Sequence, residues 1–134
     1  MPVQQAADRL LMCHLFLEIT REIHRAYMPD RQFGTCFETL YVAVGVAIGH
    51  IDGKPFTAAK LAVFLDSPRT STQRRLDELA AAGVVVRDGS HYCMNKDVAN
   101  SHEALQCHLK VRKLVERAAG LLSKLDTYNL VPSE

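Results

Sequence analysis

The order of local signals in residues 56–95 predicts a mainly α chain with a small β-hairpin, an α+β fold. Three observations carry that expectation. Two short helical stretches are separated by a proline-containing turn, a β-branched triplet follows a helix-ending glycine, and an Asp-Gly pair leads into a second strand-like run.

Phe56-Thr57 supplies an apolar residue followed by a hydroxyl N-cap, and Leu61 is spaced to close a hydrophobic staple onto Phe56. Ala58, Leu61, Ala62 and Leu65 then recur at the spacing of one helix face. Pro68 disfavours helical geometry at Ser67, so this helix stops at Leu65-Asp66. Ser67 is a good N-cap and Pro68 suits the first helical position, which starts a second helix running to about Ala82. Gly83 ends it in the left-handed cap, and Thr72, Leu76, Leu79 and Ala80 form its buried stripe. Val84-Val85-Val86 reads as a strand, Asp88-Gly89 as a two-residue hairpin turn, and His91 to Met94 as the returning strand.

Helix, tight turn, helix and hairpin in that order make a winged helix-turn-helix. The run SPRTSTQRRLDELAAAGVV, residues 67–85, resembles the recognition helix and the start of the wing in MarR-like and related bacterial winged-helix regulators. The resemblance covers about forty residues; outside them it rests on the order of helices. It implies double-stranded DNA as partner, bound by a homodimer with the second helix of the motif in the major groove.

The flanks are helical. Residues from about Gln4 to Met28 keep an apolar stripe (Leu10, Leu11, Leu15, Phe16, Leu17, Ile19, Ile23, Tyr27), with Arg9, Glu18, Arg21, Glu22 and Arg25 on the other side. The stripe is broad enough to meet a second chain. Arg31 to Thr35 reads as a loop. Cys36 to Ile48 is apolar nearly all round, which predicts a buried central helix, although its valines and isoleucine also suit a strand. Asn95 to Asn100 is a connector. Ser101 then caps a long helix to about Asp126, with an earlier start near Asp97 as the alternative, and Gly120 is a candidate kink in it. The domain reading is a single unit over 1–134, with 36–95 as DNA-binding core and with 1–35 and 97–128 as the dimerisation region. MarR-like proteins pair their terminal helices between subunits. They carry two helices after the wing, whereas this segment fits one long helix or two short ones.

Composition sets the remaining bounds. At 134 residues, 48% hydrophobic and 23% charged, the chain is long enough for one domain with a sizeable core. Val3 to Asp8 lacks the pattern of an export signal, and the longest apolar run, Leu40 to Ile51, falls short of the ~20 residues of a membrane span. A cytoplasmic protein with no membrane partner is expected, and its four cysteines, none in a C-x-x-C pair, are expected to be reduced. The net charge of +1 is uninformative, but residues 54–92 carry six Lys/Arg against four Asp/Glu, a local +2 against −2 for residues 1–53. A basic cluster without interleaved acid, Arg69 to Arg75, lies on the second helix of the motif, where phosphate neutralisation would need it.

With Thr72 and Leu76 facing inward, Thr70, Ser71 and Arg74 face outward and Gln73 and Arg75 lie on the flanks. Arginine pairs with guanine, glutamine with adenine, and hydroxyls with bases or phosphates. Arg69 would add a phosphate contact at the helix N-terminus, and Arg87 and His91 would reach the backbone or minor groove from the hairpin. The plainer alternative is a solvated helix in a winged-helix protein-interaction module that binds no DNA; Asp77, Glu78 and Asp88 favour it. A third version is a regulator released by a small-molecule effector or by thiol oxidation. Cys13 would be the sensor by resemblance to peroxide-sensing MarR-like proteins, against a plain reading as a buried apolar side chain. His102, Gln106, Cys107 and His108 suggest part of a metal site, but His102 and Gln106 share a helix face from which Cys107 and His108 diverge. Surface histidines without metal are expected. No nucleotide-binding, metalloprotease or nucleophile-elbow motif is present, so no catalysis and no cofactor are expected.

Overall fold

A computed structural model describes residues 2–128. In chain order the elements are α1 (Val3–Tyr27), a 3₁₀ turn (Phe33–Thr35), α2 (Phe37–Ile51), β1 (Phe56–Thr57), α3 (Ala58–Phe64), α4 (Arg69–Ala81), β2 (Val85–Asp88), β3 (His91–Met94), α5 (Lys96–Ala99) and α6 (His102–Tyr128). The chain is therefore mainly helical with one small three-stranded antiparallel sheet, ordered β1-β3-β2.

Helices α2, α3 and α4 stop by the same device. Gly53, Asp66 and Gly83 each adopt positive φ, at 75°, 51° and 77°. The next amide then reaches back to the helix: Lys54 N to Gly49 O at 2.9 Å, Ser67 N to Ala62 O at 2.9 Å, and Val84 N to Leu79 O at 3.0 Å. These are Schellman ends, which satisfy carbonyls that the last turn would otherwise leave open. Pro68 is thus not what stops α3; Asp66 has already turned the chain. Pro68 itself is the N-cap of α4 rather than its first helical residue, and the Ser67 hydroxyl bonds the Leu65 carbonyl instead of capping.

Thr57 caps α3 as expected, its hydroxyl accepting from Lys60 N at 3.3 Å. The same two residues also pair with β3 (Phe56 with Tyr92, Thr57 with His91), which local pattern did not reveal. Phe56 packs its ring on Phe64, with centroids 4.9 Å apart. In the hairpin, Asp88 pairs with His91, so the two turn residues are Gly89 and Ser90, one position later than Asp88-Gly89. Gly89 alone has positive φ, as a turn with glycine at its first central position requires. The helical start near Asp97 forms a separate short helix, α5, capped by Asn95, whose Oδ1 accepts from Asp97 N. Ser101 caps α6 by accepting from Ala104 N at 3.2 Å, and the helix runs unbroken through Gly120.

The core gathers between α2, α3, α4 and the sheet: Leu40, Val42, Val46, Leu61, Leu65, Leu76, Leu79, Val85 and Tyr92 are buried there. Ala80, expected in the α4 stripe, is exposed. Gly45 and Gly49 let α3 and β1 approach α2 closely. A Cβ on Gly45 would lie 2.8 Å from Leu61 Cδ1, and one on Gly49 2.6 Å from Phe56 Cδ2. Helix α2 is not buried all round. Tyr41, Val44, Ile48 and Ile51 lie on its exposed side. Helices α1 and α6 pack chiefly on each other, and α1 has no buried residue at all. Cys13 on α1 is exposed rather than buried, whereas Cys36 and Cys107 are buried.

Candidate nucleic-acid interface

The sequence places its candidate cluster on α4 and the hairpin, and the fold sets these two elements side by side. Arg69, Thr70 and Arg74 are exposed on α4; Arg87 and His91 are exposed on β2 and β3; Ser71 is half-buried. Among the described residues Arg69 and Arg74 have no ion-pair partner, so two cations on this face are uncommitted. At the hairpin, Arg87 Nε donates to Gly89 O at 2.8 Å, and its guanidinium lies 5.9 Å from the Tyr92 ring centroid. That posture fixes the side chain along the hairpin while its other N–H groups remain available.

Arg75 has a different role from the one its position in the basic run suggested. It pairs with Glu38 of α2 and with Glu78 one turn on, and its side chain is only 18% exposed. Glu78 also accepts from Arg31 Nη1 and from the buried Thr39 hydroxyl, each at 3.1 Å. The basic run therefore splits. Arg69 and Arg74 face outward, while Arg75 fastens α4 to α2 through Glu38, and Glu78 ties α4 to Arg31 in the loop after α1. These bonds set the two carboxyl pKa values. The Arg75 hydrogen bond, followed by its charge, holds Glu38 below the ordinary range. For Glu78 burial pushes upward, but the bonds from Arg31 and Thr39 and the charge of Arg75 outweigh it and leave the value lowered.

Gln73 joins the two elements. Its Nε2 donates to Asp77 Oδ1 at 3.0 Å and to the Tyr92 hydroxyl oxygen at 3.1 Å, from α4 across to β3. Sequence reasoning had not singled out Tyr92, which is buried, or the partners of Arg75. The i, i+4 spacing of Gln73 and Asp77 and the i, i+3 spacing of Arg75 and Glu78 are the local signs of this arrangement.

A second feature lies away from this face. An apolar groove of about 340 Å³ separates the α2–β3 unit from α1 and α6; its walls include Tyr27, Val44, Ile48, Met94, Val98 and His108. Buried Cys107 also lines it, and burial followed by the nearby Glu22 charge pushes that thiol's pKa upward, away from reactivity. Among the described residues no three His, Cys, Asp or Glu side chains gather to hold a metal ion, and no helix is long and apolar enough to cross a membrane. Comparison of the chain with protein-family models, curated proteins and solved structures finds no match.

Proposed function

We propose that the chain is a sequence-specific DNA-binding transcriptional regulator of winged-helix, MarR-like type, acting as a homodimer. The observation that carries this reading is the outward face of α4. Uncommitted Arg69 and Arg74 stand there with Thr70, next to a hairpin that presents Arg87 and His91. In this reading α4 enters the major groove and the β2–β3 hairpin touches the flanking backbone. Homodimerisation is supported by the apolar side chains left exposed on the helical pair, among them Leu10, Met12 and Phe16 on α1 and Leu105 on α6. Two α4 helices would then read half-sites ~34–36 Å apart.

The test is fluorescence anisotropy of labelled duplex DNA across a salt series, with the protein sized by light scattering. A dimer whose affinity falls steeply with salt supports the reading; absence of binding at low salt overturns it. Once an operator is selected, Arg74→Ala should weaken it by about 1–3 kcal/mol if that side chain reads a base. Unchanged affinity removes Arg74 from the interface.

Two variants of the reading each have one favouring observation. Asp77 and Asp88 are exposed beside the basic residues, which favours a protein-interaction module without DNA. The apolar groove between the α2–β3 unit and the α1/α6 pair favours control by an apolar small-molecule effector, whose addition would release bound DNA.

A further inference from the structure

We infer that Gln73 reads its base as a hydrogen-bond acceptor only, because Tyr92 and Asp77 hold its amide hydrogens; this rests on the DNA-binding reading above. A carboxylate oxygen can only accept, so the Gln73 atom 3.0 Å from Asp77 Oδ1 must be the amide nitrogen. That chemistry fixes which way the amide faces. The same nitrogen lies 3.1 Å from the Tyr92 hydroxyl oxygen. An amide nitrogen has two hydrogens, and here each has a partner.

The clamp is rigid on the Tyr92 side. That ring is 4% exposed, sits opposite both Phe56 and Arg87 in the sheet, and has the Arg87 guanidinium near its face. Gln73 Oε1 bonds nothing among the described residues and is not one of the buried atoms left without a partner, so it reaches solvent. A free glutamine reads adenine by accepting from N6 while donating to N7. A glutamine whose hydrogens are both committed can do only the first half. It accepts from an amino group in the major groove, which adenine carries at N6 and cytosine at N4 and which guanine and thymine lack there. Gln73 therefore selects amino-bearing bases without separating adenine from cytosine. Tyr92 is a positioning residue that sets this degeneracy from inside the core.

The experiment has two arms. In DNA-free protein, hydrogen exchange of the Gln73 side-chain amide is followed by NMR in wild type and Tyr92→Phe. Slow exchange in wild type that quickens in the variant is expected; exchange as fast as in an unstructured glutamine in wild type overturns the clamp. In the second arm, wild type, Gln73→Ala, Tyr92→Phe and Asp77→Ala select from a randomised duplex library. Wild type should show one position taking A and C over G and T by at least about five-fold, and Gln73→Ala should lose it. Tyr92→Phe, which keeps the ring, and Asp77→Ala each free one hydrogen, but only the hydrogen on the same side as Oε1 can donate to N7 beside it. One of the two variants should therefore shift that position toward A over C by at least about five-fold, and the other should leave it as in wild type. If wild type selects a sequence but neither freed variant changes that position, the inference fails and DNA binding stands. If wild type binds no duplex at low salt, the DNA-binding reading itself fails and takes the inference with it.

Discussion

The α2–β3 unit and the α1/α6 pair are built from similar amounts of apolar residue, but the first buries far more of it. In the unit, Leu61, Leu76, Leu79 and Val46 are fully buried and three helices end in Schellman turns. In the pair, α1 runs 25 residues without one buried side chain. Ile23 and Tyr27 pack on the core while only partly buried, Glu22 pairs with Lys110 of α6 at 3.9 Å, and Phe16 and His24 join a ring cluster with Phe37 and Phe33. A helical pair with that much uncovered apolar surface gains little from burial within one copy, because the hydrophobic effect rewards only area removed from water. The unit should thus set the stability of a single chain, and the pair should depend on what covers it.

The largest effect tests that contrast directly. Leu76→Ala removes a fully buried side chain and should cost about 2–5 kcal/mol in denaturant unfolding at any protein concentration. Met12→Glu changes a side chain that is 58% exposed in one copy. It should leave the monomer within about 0.5 kcal/mol but shift the concentration dependence of the melting temperature and the mass in solution. A Met12→Glu protein unchanged in both would mean that nothing covers this face of α1, and the contrast would lose its explanation.

Next comes Gly49→Ala. The added Cβ would sit 2.6 Å from Phe56 Cδ2 and 3.0 Å from the Lys54 carbonyl oxygen, so α2 and β1 must separate. A loss of about 1–3 kcal/mol in urea unfolding is expected, as for other overpacked sites. A neutral result would show the unit to be looser than its distances imply.

How much of this could be read from the chain itself follows from the range of the forces involved. Features set within a few residues were legible: the Thr57 and Ser101 caps, the left-handed Gly83, the stripe of Thr72, Leu76 and Leu79, and the strand His91 to Met94. Features decided by a distant partner were not. Strand β1 is two residues long and exists because β3 lies beside it, and the turn moved to Gly89-Ser90 because register is fixed by pairing across the sheet. For the candidate site, the outward position of Thr70 and Arg74 was visible as helical phase, and that of Arg69 from its place at the helix N-terminus. Arg75 was not, because Glu38 lies 37 positions away and its claim on that guanidinium appears only in three dimensions.

The Glu38–Arg75–Glu78–Arg31 network also sharpens the comparison, since it is the main polar tie of α4 within the unit. Both glutamates have folded pKa values lowered from the ordinary 4.5. For a lowered acid the sign is fixed: the stabilisation is complete above the ordinary value and is lost as pH falls through the folded one. Urea midpoints should therefore hold from pH 7 to about 5 and drop below 4.5, and Glu78→Gln should lower the plateau and flatten the drop. An unchanged acid profile in Glu78→Gln would assign the loss to other carboxylates.

The smallest effect is the most discriminating about the α1/α6 pair. Gly120 lies inside α6, and a Cβ built there meets nothing within 4 Å. Glycine in a helix interior costs about 0.5–1 kcal/mol relative to alanine through the freedom its backbone loses on folding. Gly120→Ala should thus stabilise a lone chain by up to about 1 kcal/mol, the opposite sign to the same change at Gly49. If a second copy packs its backbone against this part of α6, the methyl has no room, and the variant should melt lower and dissociate more readily. Urea unfolding at low and high protein concentration separates the cases: a uniform gain means Gly120 faces water, and a loss confined to high concentration puts it inside the assembled face.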